Sequence, residues 1–367
     1  MLTDGPLLEQ TLFRKRFDTD RMNLKELSEN LGLSQTTVSR ALNGYPEVSE
    51  ATRARVELAA KRFNYTPSTR AKGLATGRAL AIGHVIPTSS KHEMVNPIFG
   101  DFIAGAGEVY ARNGYEMILS VLDPRMDEET IYRKLMARRA VDGVVVHGPK
   151  MRDERIPLLQ QLGLPYVVHG RASAIDTPYT WVDVNNRRAF RRATELLLDL
   201  GHERIAFING LESMDFAQRR RQGFEDAMGS RGMSINPQWT TSGEMTEHLG
   251  YSTTANWLAS DNTPTAIVTS SMISAFGVRR AIEDAGLKIG KDVSVVTHDD
   301  DLSYLRNGAD VPIFTATRSS VRDAGELAAS LLLDKIADPS APDQHHLLEA
   351  QLVIGQSTGP AQTKVSS

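Results

Sequence analysis

The chain has 367 residues, 41% of them hydrophobic and 24% charged, which is enough to bury two or three cores without covalent staples. Cysteine is absent, which excludes disulfide scaffolds, cysteine-based zinc sites and thiol nucleophiles. No apolar run approaches the roughly 18–20 residues of a membrane span, and the first twenty residues lack the apolar core of a secretory signal. A cytoplasmic protein with no membrane partner is therefore expected. The net charge of −3 is unevenly spread. Residues 22–77 carry eight basic and five acidic groups, residues 1–21 balance at four each, and the rest is net acidic. A small basic head on a large acidic body points to an anionic partner for the head.

Residues 1–21 read as a disordered tail or a misassigned start. The head, residues 22–67, reads as three short helices. Leu24, Leu27 and Leu31 form one apolar helical face, and Gly32 ends it. Ser34 is a good cap for a second helix running to about Leu42, and Ser49 for a third, whose inner face is Val56, Ala59, Ala60 and Phe63. On the second helix Gln35, Thr36, Ser39, Arg40 and Asn43 share a polar arc, with Val38 and Leu42 turned away. Gln and Asn can bind adenine at two points, Arg can bind guanine, and Thr can touch a thymine methyl. Helix, tight turn, helix is the helix-turn-helix pattern. Periodicity alone leaves a DNA-reading unit and a generic three-helix bundle both open.

The segments LSQTTVSRALNG, VSEATRARV, NYTPS and LATG, in that order and spacing, resemble the head of the lactose-repressor/galactose-repressor (LacI/GalR) family of bacterial regulators. That resemblance implies base-reading positions at Gln35, Thr36 and Arg40, and phosphate or structural contacts at Thr37, Ser39 and Asn43. It also implies a hinge helix over residues 68–77 that enters the minor groove, with Leu74 as the wedge and Ala71 beside it. Ser68 stands where the family usually has Asn, and Gly73 is a poor helix former. So short a helix is marginal alone, and it is expected to fold only on DNA.

From Leu80 onward short β-rich runs alternate with amphipathic stretches. The runs are LAIGHVI, YEMILSV, GVVVH, YVVH, RIAFI, TAIVT, VSVVTH and FTATR. Helical stretches fall at 98–113, 127–138, 153–162, 186–200, 214–231, 247–259, 273–285 and 321–337. This alternation predicts an α/β body with parallel sheets and helices on both faces, arranged as two lobes with a cleft between them. NPIFGDFIAG, VDVNNRRAF, LGHERIAFING, RRRQGF and LVIGQSTGP continue the resemblance, which implies a body like periplasmic sugar-binding proteins over residues 78–360 and leaves 361–367 as a tail.

Ligands of open α/β sheets sit at the carboxyl ends of strands, so the loops there supply the candidates. Asn96, Phe99 and Asp101 follow the first strand. Met245 and Thr246 precede a helix, Ser270 and Ser271 follow TAIVT, and Asp299 follows VSVVTH. The resemblance puts Arg220 at the family's effector-binding arginine, Arg220 and Asp299 on ligand hydroxyls, and Phe99 on an apolar ligand face. The chain departs from many relatives at Ser271-Met272, where they carry Asn-Asp, and at Gly170, where they carry Asp.

Gly355-Gln356-Ser357-Thr358-Gly359 matches the G-x-S-x-G nucleophile pattern, but no histidine follows it. His298 through Asp301 has no second cluster to complete a metal site. No phosphate-binding loop is present. No enzyme activity, cofactor or metal is expected. The expected function is that of a sequence-specific DNA-binding regulator, a repressor of carbohydrate uptake or breakdown genes. Its partners would be double-stranded DNA with a near-palindromic operator, a small-molecule effector that is a sugar, and a second copy in a homodimer or a tetramer. A sugar-binding protein without a DNA role is the alternative; it lacks an export signal and leaves the basic head unexplained.

Overall fold

A computed structural model describes residues 22–66, 77–86, 96–121 and 127–362. The chain divides between Ala79 and Leu80 into two compact units.

The first unit is three helices, α1 (Leu24–Leu31), α2 (Gln35–Leu42) and α3 (Glu50–Arg62). Each begins on a polar cap. Asn23 and Glu26 form a reciprocal capping box at α1, and Ser34 and Ser49 accept from the N–H groups of Thr37 and Thr52. Leu27, Val38, Ala41, Val48, Val56 and Ala60 meet in its core. Six residues make a small core, so the caps matter: each contributes about 1 kcal/mol to a unit with little burial to spare.

The second unit contains two six-stranded sheets. In the first, β1 (Ala81–Ile86), β2 (Glu116–Val121), β3 (Gly143–His147), β4 (Tyr166–His169), β5 (Trp181–Val184) and β11 (His345–Leu348) lie in the order β11-β5-β4-β3-β1-β2, all parallel. In the second, β6 (Ile205–Asn209), β7 (Thr240–Ser242), β8 (Ala266–Thr269), β9 (Ser294–Asp299), β10 (Thr315–Arg318) and β12 (Gln351–Val353) lie in the order β12-β10-β9-β8-β6-β7. Only β12 runs antiparallel. The inner strands β1, β3, β6 and β9 are buried along their whole length, as parallel strands covered on both faces must be.

Helices cover both faces of each sheet. On the first lie α4 (Pro97–Arg112), α5 (Glu128–Ala137), α6 (Arg155–Leu162) and α11 (Val321–Ala337). On the second lie α7 (Asn186–Asp199), α8 (Asp215–Ser230), α9 (Glu247–Leu258) and α10 (Met272–Asp284). The chain passes between sheets three times, after β5, after β10 and after β11. Three crossings put the carboxyl ends of both sheets on a shared cleft. Helices α4 and α11 touch backbone to backbone: a Cβ on Gly105 would stand 2.2 Å from the Arg322 carbonyl oxygen, and one on Gly325 2.3 Å from that of Phe102. In Gly105-Ala106-Gly107, which superficially resembles a nucleotide-binding run, Gly105 and Ala106 thus belong to a helix-packing seam and Gly107 faces Met117 of β2.

Ser357, the centre of the G-x-S-x-G match, is fully buried. Its hydroxyl donates to the Val295 carbonyl at 2.5 Å and accepts the Thr315 N–H at 2.9 Å, which ties the C-terminal segment to β9 and β10. Among the described residues no helix is long and apolar enough to cross a membrane.

Candidate functional site

In the three-helix unit, Val38 and Ala41 turn α2 inward, and this fixes which side chains it shows to solvent. Gln35, Thr36, Arg40 and Asn43 are exposed, and Thr37 and Ser39 are half-buried. Three of the six also serve the helix itself. Thr37 shares a hydrogen bond with the Ser34 hydroxyl at 2.8 Å, and Asn43 donates to the Ser39 carbonyl at 2.8 Å. Arg40 lies 3.4 Å from Glu47 in an exposed pair, too weak in water to hold the guanidinium against a better partner. Gln35 and Thr36, at the amino end of the helix, are the exposed amide and hydroxyl. Ala71 and Leu74 fall outside the described residues.

The cleft of the second unit holds a cavity of about 360 Å³, within the range of small-molecule sites. The first sheet contributes Asn96, which caps α4 through the Ile98 N–H at 3.1 Å, and the rings of Phe99 and Phe102. Phe102 stacks on His169 with centroids 4.2 Å apart, and Phe99 meets His147 edge-on at 5.1 Å. Behind them His84 and His147 share a hydrogen bond of 2.9 Å. Burial holds His84 down at about 3 and His169 at about 4, and it holds His147 well below the ordinary imidazole range, so the cluster is neutral.

The second lobe contributes Arg220. Its Nε donates to the Asn186 side-chain oxygen at 2.8 Å and its Nη1 to the Ser270 carbonyl at 2.6 Å. The guanidinium lies 4.9 Å from the ring centres of both Phe190 and Phe216. Burial lowers its pKa to about 10, with Asp300 and Asp183 pulling the other way. Asp183 is held by Arg171 at 2.7 Å. Asp300 faces the cavity with its pKa pushed up to about 7 by burial, a shift that Arg220 opposes. A fixed cation, carboxylates, neutral imidazoles and aromatic faces around one volume can hydrogen-bond hydroxyls and pack against a ring's apolar side.

The structure brings Asn96, Phe99 and Arg220 to this cavity, with Met245 and Thr246. It places Asp101, Ser271 and Asp299 outside the described lining. Asp101, farther along α4, accepts from the Ser303 N–H and hydroxyl at 2.9 and 2.6 Å and so tethers the loop after β9 to the first lobe. Ser271 is buried and caps α10 through the Ser274 N–H. Asp299 is still in β9, paired opposite Arg318, and its side chain accepts the Asp301 N–H at 2.9 Å. The strand runs one residue further than the sequence pattern predicts, and Asp300 therefore takes the inward position. The sequence pattern also misses His147 and His169, which sit at the ends of β3 and β4 where the carboxyl-end rule points, Asp183 within β5, and Asn186 at the crossing after it. The family's aspartate has no room at Gly170: φ is +106°, and a Cβ there would stand 2.8 Å from the Pro149 ring.

Residues 23–68 match the model of the bacterial regulatory proteins of the lacI family, and residues 194–358 that of the periplasmic binding protein-like domain. The chain is 42% identical over 341 residues to the HTH-type transcriptional regulator AglR of Rhizobium meliloti (strain 1021), covering 93% of this chain and 95% of that one. It belongs to the LacI family of bacterial regulatory proteins. The lac repressor dimer bound to operator and the anti-inducer ONPF is similar at 25% identity with a TM-score of 0.79, covering 92% of this chain and 99% of that one. The CelR–cellobiose complex is similar at 26% identity with a TM-score of 0.66, covering 92% and 100%. As a LacI-family member the chain is a DNA-binding transcriptional regulator and not an enzyme. Its α/β body carries the fold that the sequence pattern and the resemblance predicted.

Proposed function

We propose that this regulator is a repressor of carbohydrate uptake or breakdown genes and that a sugar bound in the cleft releases it from DNA. Residues 22–67 would be the DNA-binding domain, 68–77 the hinge and 78–360 the effector and dimerisation domain. Gln35, Thr36 and Arg40 read base edges in the major groove, while Thr37, Ser39 and Asn43 position the helix. Ala71 and Leu74 act in the minor groove. Two copies pair, alone or within a tetramer, and present two heads to a near-palindromic operator.

The observation that carries the effector reading is Arg220, held by Asn186 from the crossing after β5 and by the Ser270 carbonyl after β8, with Asp300 and the Phe99 ring across the same cavity. The related CelR was solved with cellobiose, which supports a sugar here. A ligand bridging both lobes stabilises their closed arrangement, and it shifts the DNA-competent population only by its differential affinity for that arrangement. A thermal-shift screen of the purified protein against sugars tests this reading, followed by operator binding with and without each hit. A sugar that raises Tm and weakens operator binding is expected; one that tightens operator binding would reverse the sign of the switch.

A further inference from the structure

The charges around the cavity narrow the sugar reading, on which this inference rests. Among the described lining residues Arg220 is the only arginine, and no lysine is present. Burial keeps the lining imidazoles of His147, His169 and His298 neutral. Arg220 already gives Nε and Nη1 to the protein, and the rings of Phe190 and Phe216 lie against its guanidinium. Carboxylates are more numerous. Asp183 is paired with Arg171 at 2.7 Å and Glu247 with Arg280 at 2.8 Å. Asp300 has neutral His298 at 3.5 Å and faces the charge of Arg220. Among the described lining residues there is therefore no positive charge to spare.

Backbone N–H groups at helix starts are the other means of holding an anion. Here one N–H at each of three helix starts is taken locally. The N–H groups of Ile98, Leu249 and Ser274 go to the side chains of Asn96, Thr246 and Ser271. A phosphate group entering this volume would lose its hydration, meet Asp300, and find one partly committed cation.

We propose that the cavity takes an uncharged sugar and excludes the phosphate ester of the same sugar, with Asp300 enforcing the exclusion. The signal read is then the sugar before any phosphoryl-transfer step acts on it.

Titration calorimetry on the full chain tests this with neutral mono- and disaccharides, among them glucose, maltose, sucrose and cellobiose, each beside its 6- or 6′-phosphate. At least one neutral sugar is expected to bind, with its phosphate weaker by about a hundredfold or more. At pH 8, where Asp300 is largely ionised, Asp300→Asn is expected to narrow that gap by about tenfold, because the like-charge contact is removed and the shape kept. A phosphate ester that binds as tightly as its parent sugar overturns the exclusion and leaves the sugar reading standing. An unchanged gap in Asp300→Asn removes Asp300 from the enforcing role. Binding by neither form of any sugar overturns the sugar reading and this inference with it.

Discussion

Asp215, at the first turn of α8 in the second lobe, accepts the Ser173 N–H of the first lobe at 3.0 Å. The Ser173 hydroxyl and the Arg219 guanidinium also donate to it, and its own N–H donates to the Pro149 carbonyl at 2.9 Å. Asp215 is 1% exposed, so these bonds have no water to replace them. Asp215→Ala is expected to cost about 1–3 kcal/mol in urea unfolding and to weaken ligand binding, because it unfastens one edge of the cleft. Unchanged stability would mean that the contact is not maintained in solution.

Arg220→Gln should abolish the response to ligand and leave DNA binding in place, since α8 lies outside the three-helix unit. Loss of charge-assisted bonds predicts a fall in ligand affinity of roughly ten- to a hundredfold. Calorimetry and gel shifts on the same preparation separate the two effects. Loss of DNA binding together with ligand binding would place Arg220 in the stability of the whole chain instead.

Gln35→Ala should cost about 1–3 kcal/mol on the best DNA site and relax preference at one base pair. A residue that touches only phosphate would lower affinity evenly across sequences and flatten the salt dependence. Binding-site selection with the variant distinguishes these. A full-strength, unrelaxed site preference would remove Gln35 from base reading.

The buried imidazoles predict an acid-sensitive body. His84 is held at about 3 and His169 at about 4, against 6.5 ordinarily, so the unfolded chain binds more protons from pH 6.5 down to about 4. Stability from these groups is present above pH 6.5 and is lost as pH falls, by on the order of 1 kcal/mol per pH unit for each. Asp300, raised from 3.8 to about 7, has the opposite sign, and its contribution weakens as pH rises through that range. Tm is expected to fall from pH 6.5 to 4.5, and to fall less in His169→Gln. An identical profile in that variant would contradict the assignment.

The parallel strands are legible in the sequence because burial on both faces makes them continuous apolar runs bounded by turns, as in GVVVH and TAIVT. The short strands β5, β7, β11 and β12 are not. Trp181–Val184 carries a buried aspartate, and β7 is three polar residues, so neither shows the apolar signal. Among site residues, Arg220 comes through the family likeness and Asn96 through the loop rule. The shift from Asp299 to Asp300 is not legible, because one residue of strand length decides which of two adjacent aspartates faces inward.

The most direct test measures the purified chain by fluorescence anisotropy on its own promoter and on a scrambled duplex of equal composition, near physiological salt, with and without the sugar found by thermal shift. The promoter should bind about a thousandfold more tightly or better, and the sugar should erase most of that difference. Equal affinity for the two duplexes, unaffected by the sugar, would contradict the account.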